Sequence, residues 1–169
     1  MWREDTAQLH SVGGQYGTPL QAACAKGHMA AFDLLIGWGA DPNVEGGEFG
    51  IPLNAAIANC QSKMAESLVR SGASLVLRDF MGRTPLYTAS LHGHPEIVHF
   101  LVKAGAELKT GNKNGWTPVG VAAVEGHLNV VKLLLDQGAG AKMPAKDRWT
   151  PVMVAANHGH LEVVKLLLD

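Results

Sequence analysis

The chain has 169 residues, a formal net charge of -1, 47% hydrophobic and 17% charged residues, an ordinary globular balance with room for one domain or a short repeat array. Lys and Arg are scattered, so the basic stripe of a nucleic-acid surface is missing, and no apolar run approaches the ~20 residues of a membrane span. The opening Met1-Trp2-Arg3-Glu4-Asp5 is no signal peptide, because no apolar stretch follows it.

One step sets the elements. Thr18-Pro19, Ile51-Pro52, Thr84-Pro85, Thr117-Pro118 and Thr150-Pro151 recur every 33 residues. Gly39-Ala40, Gly72-Ala73, Gly105-Ala106 and Gly138-Ala139 keep that step, as do Gly27-His28, Gly93-His94, Gly126-His127 and Gly159-His160. In chain order the register predicts the tail of an earlier repeat over 1–14, where Thr6-Ala7 matches Gly39-Ala40 and Met1 and Trp2 match the helix end at Leu34 and Leu35. Repeats follow over about 15–46, 47–79, 80–112, 113–145 and 146–169, all in one domain.

Each repeat opens on a polar or Gly-rich hairpin. Its Thr then caps a first helix, and Pro takes the first helical position, where a missing N–H costs nothing. Ala23, Ala56, Ala89, Ala122 and Ala155 let neighbouring helices approach. Gly27, Gly93, Gly126 and Gly159 end this helix in the left-handed conformation. A second helix follows, with apolar residues at helical spacing: Leu128, Val131, Leu134 and Leu135, repeated as Leu161, Val164, Leu167 and Leu168. Glu96 and Glu162 suit its first turn, and Gly105 and Gly138 stop it. The second repeat is the poorest copy, with Ile51 for the capping Thr and Cys60-Gln61 for Gly-His. The fifth has Arg148 where Gly82 and Gly115 stand earlier. Leu161–Leu168 is no polar cap, which points to a segment of a longer array, the alternative being a short natural protein with degenerate ends.

The run Gly115-Trp116-Thr117-Pro118-Val119, Ala122-Ala123, Gly126-His127-Leu128, Val131-Lys132-Leu133-Leu134-Leu135 and Gly138-Ala139 resembles the ankyrin repeat, and the resemblance covers essentially the whole chain. It implies an all-α solenoid of L-shaped helix pairs with protruding hairpins, each pair burying its apolar face on its neighbours. It also implies inter-repeat hydrogen bonds for His28, His94, His127 and His160. The hairpins Gly13-Gly14-Gln15-Tyr16-Gly17 and Gly46-Gly47-Glu48-Phe49-Gly50 resemble those of fungal ankyrin arrays attached to NACHT-type nucleotide-binding receptors.

Little speaks for chemistry. His92-Gly93-His94 and His158-Gly159-His160 look like paired ligands, but a zinc site needs a third and fourth that nothing at typical spacing supplies. No nucleophile elbow or phosphate-cradling loop occurs. The expectation is therefore no enzyme, no cofactor and no metal. Cys24 and Cys60 read as small buried apolar residues in a reducing intracellular setting, cytoplasmic or nuclear.

The resemblance implies that a partner protein is held on the concave surface of hairpin tips and first-helix ends, by a monomer that binds neither nucleic acid nor membrane. In the third repeat these positions are Phe80, Met81, Arg83, Leu91 and His92. In the fourth they are Lys113, Asn114, Trp116, Val124 and Glu125, and in the fifth Lys146, Asp147, Trp149, Asn157 and His158. The first two repeats offer the smaller and more polar Gln15, Lys26, Glu48 and Asn59. The fold does not demand Trp116 or Trp149, since Gly17, Gly50 and Arg83 stand at the same register position. Those tryptophans either belong to an exposed apolar stripe or cover hairpin backbone; Trp38 reads as scaffold. The alternative function is a ligand-sensing segment of a larger signalling receptor.

Overall fold

The structure is a computed structural model that describes residues 6–169. The expected helix end at Met1 and Trp2 lies outside the described residues. Packing groups the chain into two compact units, Met1–Phe80 and Met81–Asp169.

The first unit contains α1 (Thr6–Leu9), α2 (Pro19–Lys26), α3 (Met29–Gly37), α4 (Pro52–Ala58) and α5 (Ser62–Arg70). Here α2 packs on α3 and α4, and α4 on α5. The register matched Thr6-Ala7 to the Gly-Ala pair that follows a second helix, but a helical turn runs from Thr6 to Leu9. The second unit contains α6 (Pro85–Leu91), α7 (Pro95–Lys103), α8 (Pro118–Val124), α9 (Leu128–Asp136), α10 (Pro151–Asn157) and α11 (Leu161–Leu168). Its first helices form one row, α6 on α8 on α10, and its second helices another, α7 on α9 on α11.

The helix signals work as the sequence predicts. The hydroxyls of Thr18, Thr84, Thr117 and Thr150 accept the N–H three residues on, at 3.2–3.4 Å. Ile51 makes no side-chain cap. Gln21 adds the reciprocal bond, its Oε1 accepting the Thr18 N–H at 2.8 Å, which completes a capping box. At the far ends of α3, α5, α7 and α9 the chain turns left-handed at Gly39, Gly72, Gly105 and Gly138. The next N–H then reaches back to a carbonyl of the last turn, as Ala106 does to Leu101 at 3.0 Å.

The two poor copies keep the backbone and accept the strain: Cys60 and Arg148 sit at φ 56 and φ 68. Cys60 is also exposed, contrary to the expectation of two buried thiols. Cys24 is buried, and burial pushes its thiol up to about 12.

Ala23, Ala56, Ala89, Ala122 and Ala155 are all buried, as their role in close helix approach requires. In α9 the buried residues are Val130, Val131 and Leu134, and in α11 Val163 and Leu167. Leu128, Leu161 and Leu168 are exposed, so the predicted apolar set needs correcting. Leucines run almost all round these helices, and periodicity alone could not say which of them faced inward. Trp38 is likewise not scaffold: its side chain is 63% exposed at the end of α3.

Candidate functional site

The hairpins before the first helices close on themselves. Gly13 donates its N–H to the Gly17 carbonyl at 2.8 Å and Gly46 to Gly50 at 2.7 Å. In the second unit Asn112 donates to Trp116 at 3.0 Å and Ala145 to Trp149 at 2.9 Å. The loop lengths match, but the turns differ. Left-handed residues are Gly14, Gly17, Gly47 and Gly50 in the first unit, and Gly82, Gly115 and Arg148 in the second.

Gly17, Gly47 and Gly50 are forced by close approach, whereas a Cβ on Gly13 or Gly14 would meet nothing within 4 Å. A Cβ on Gly47 would stand 2.4 Å from the Tyr16 carbonyl carbon. Tyr16 and Phe49 stack with centroids 6.5 Å apart, and Lys26 Nζ lies 5.3 Å from the Tyr16 ring centroid. Gln15 donates from Nε2 to Glu48 at 3.1 Å. Its polar groups are thus largely engaged with one another.

In the second unit the tips are tied in a row. Lys113 donates its N–H to the Met81 carbonyl at 3.1 Å, and Lys146 to the Asn114 carbonyl at 2.9 Å. Met81 and Trp149 remain 43% and 39% exposed. Lys113, Asn114, Lys146, Asp147, Glu125, Asn157, His92 and His158 are exposed, while Arg83, Leu91 and Val124 are half-buried. Phe80 closes the first unit and is exposed there.

Trp116 and Trp149 part company. Trp116 is half-buried, and its ring lies over Gly120, where a Cβ would meet Cε3 at 2.8 Å. It therefore covers helix α8, where the sequence offered an exposed stripe or a cover over hairpin backbone. Trp149 has Met153 at the position of Gly120 and stays exposed. Gly17 and Gly50, at the same register position, are left-handed. They reflect a different turn and say nothing about whether the fold tolerates tryptophan there.

That helix position, four after the tryptophan, was missed in the sequence. Gln21 occupies it in the first unit, fully buried, and donates from Nε2 to the carbonyls of Gly46 and Gly50 at 2.8 and 3.0 Å. Tyr87 occupies it in α6, where its hydroxyl accepts from Asn112 Nδ2 at 3.0 Å. Each side chain braces the next hairpin against its own helix. Thr18-Pro19-Leu20-Gln21 carries the capping-box signature that could have flagged the glutamine.

Within the second unit His127 and His160 make the inter-repeat bond that the resemblance implies, and His94 does not. His127 Nε2 donates to the Leu91 carbonyl at 3.0 Å and His160 Nε2 to Val124 at 2.9 Å. Their rings lie against Gly93 and Gly126, where a Cβ would come within 2.5 Å. His92 stacks on His94 and His158 on His160, each pair 6.0 Å between centroids. His94 Nε2 is buried with no hydrogen-bond partner among the described residues. Burial first, then the neighbouring His94, Arg83 and His127, holds His92 below the ordinary imidazole value; burial and His127 do the same for His94. Among the described residues no group of His, Cys, Asp or Glu could hold a metal ion, and no helix is long and apolar enough to cross a membrane.

A family model described as ankyrin repeats (3 copies) matches residues 20–112 and 104–169. No curated protein matches the chain.

Proposed function

This chain belongs to the ankyrin-repeat family, and on that premise we propose that it holds a partner protein on the hairpin and first-helix face of its second unit. Ankyrin repeats are in general protein-interaction modules and not enzymes. The observation that carries the finer reading is the row of tips joined by the Lys113–Met81 and Lys146–Asn114 bonds. It presents Met81, Arg83, Lys113, Asn114, Lys146, Asp147 and Trp149 side by side, beside Leu91, His92, Glu125, Asn157 and His158 at the first-helix ends. Backbone bonds fix the row in advance, so binding orders little chain, and preorganisation of that kind favours affinity. Trp and Arg are among the side chains that most often dominate interface energies.

Trp149→Ala is expected to abolish capture of the partner in affinity purification while leaving thermal melting unchanged. Trp116→Ala is expected to lower both, because its ring also covers α8. Full capture by Trp149→Ala would overturn the assignment. Phe80 is exposed in the first unit, and its own part in binding is tested separately by Phe80→Ala in the same assay. The Gly-Gly hairpins at 13–17 and 46–50 favour a second reading, a sensing segment of a larger NACHT-type receptor in the cytoplasm. Sequencing the full gene for an upstream nucleotide-binding domain decides it.

A further inference from the structure

The proposed face has a sign. Lys and Arg look scattered along the chain, but folding brings Lys113, Lys146 and Arg148 onto neighbouring tips, with Arg83 one hairpin away. No ion pair engages Lys113, Lys146 or Arg148 among the described residues, whereas the ion pairs Arg70–Glu66 and Lys165–Glu162 both lie on second helices. Against these cations stand two exposed carboxylates, Glu125 and Asp147. The Asp147 carboxylate is partly spent on the Trp149 N–H at 3.2 Å. Between the cations lie the exposed apolar side chains of Met81 and Trp149, and Met153 is 52% exposed on α10.

We propose that the second unit's hairpin row binds an acidic stretch of a partner protein that also carries apolar side chains. This rests on the reading of that row as the contact face. Unpaired surface cations attract a complementary chain from a distance and set its register, and apolar contacts between them supply the holding energy. A nucleic acid fits less well. Phosphate backbones are held by a denser basic stripe, and here Asp147 sits between Lys146 and Arg148 in a chain of net charge -1.

The test uses the whole chain and a fluorescein-labelled peptide of repeated Glu-Leu-Asp-Phe-Gly, compared with its Lys-for-acid counterpart and with an oligothymidylate. The acidic peptide should bind, more weakly as salt rises through a Debye length comparable with the site, and the basic peptide should not. Lys113→Glu with Lys146→Glu should weaken binding about tenfold or more. Arg148→Gly should weaken it several-fold while raising the melting temperature, since it also relieves a left-handed arginine, so a loss of binding cannot be a loss of fold. Equal binding of the two peptides, tighter binding of the oligonucleotide, or no binding of the acidic peptide overturns the proposal. If Trp149→Ala abolishes binding and the charge variants do not, the acidic partner is refuted while the face stands. If neither does, both fall.

Discussion

Gly126→Ala and Gly159→Ala look equivalent in sequence and should differ sharply in cost. Both glycines are left-handed, at φ 74 and φ 76, so alanine pays the same strain at each, about 1 kcal/mol. Both substitutions also recover about 0.5 kcal/mol by stiffening the unfolded chain. The surroundings then separate them. A Cβ on Gly159 meets no heavy atom within 4 Å, whereas one on Gly126 stands 2.5 Å from His160 Nδ1. The His160 ring has to move, and with it goes the 2.9 Å bond from Nε2 to the Val124 carbonyl, worth about 1 kcal/mol net, together with the ring's contacts. The expected losses are therefore about 2–3 kcal/mol for Gly126→Ala and under about 1 kcal/mol for Gly159→Ala. Urea denaturation followed by circular dichroism reads the difference. In a His160→Ala background the extra loss at Gly126 should vanish, as a double-mutant cycle requires. Equal losses at the two glycines, or an excess at Gly126 that survives removal of the ring, would refute the idea that the helix-ending glycine makes room for the next repeat's histidine.

Three further outcomes are expected. Cys60→Gly should stabilise the protein by about 0.5–1 kcal/mol, the left-handed strain less the entropy of a freer unfolded chain; by hydrogen exchange, the amides of α4 and α5 should open faster than those of α6 to α9 in the parent and slow down in the variant. His92 and His94 are held below the ordinary imidazole value of 6.5, so their neutral forms favour the folded state; that stability is complete above about 6.5 and declines as pH falls below it through their lower folded values. The urea midpoint should accordingly drop between pH 7.5 and 5.5, and less so in a His92→Gln, His94→Gln variant; a flat parent profile would count against the lowered values. A thiol reagent should label the exposed Cys60 in the native protein at once and the buried Cys24, its thiol pushed up to about 12, only on unfolding.

What could be read in the sequence divides by how local the cause is. Caps and stops depend on a few consecutive residues, so Thr84-Pro85 and Gly105-Ala106 announced the helices of the third repeat without help from anything distant. The His127 bond to Leu91 spans residues far apart in the chain and was legible only through the family resemblance. The inward face of the second helices was misread because α9 and α11 carry leucine on several sides. Which of those leucines is buried depends on the neighbouring helix, and Val130 and Val163, outside the predicted set, are buried while Leu128 and Leu161 are exposed. Trp38 was misjudged because its place near the end of a second helix suggested a packing role, while Ser71, Ala104 and Gln137 at its register position show a site that the scaffold leaves open.

The tryptophan position of the proposed face marks a deeper limit on reasoning by register. Gly17, Gly50, Arg83, Trp116 and Trp149 share one place in a 33-residue frame, but the frame counts residues and not geometry. Two of them lie in turns that are left-handed at that residue, and one covers a glycine that the next repeat replaces with Met153. A side chain's exposure at this position is decided jointly with the helix residue four places on. Gln21 and Tyr87 there leave their polar groups to brace a hairpin, Gly120 admits a tryptophan ring, and Met153 coincides with an exposed one. Exposure along the proposed face is therefore set by pairs of positions. A substitution such as Met153→Gly should draw Trp149 down onto α10, quench its exposure to iodide and reduce partner capture without touching a single hairpin residue; undiminished iodide quenching would show that the two positions act independently.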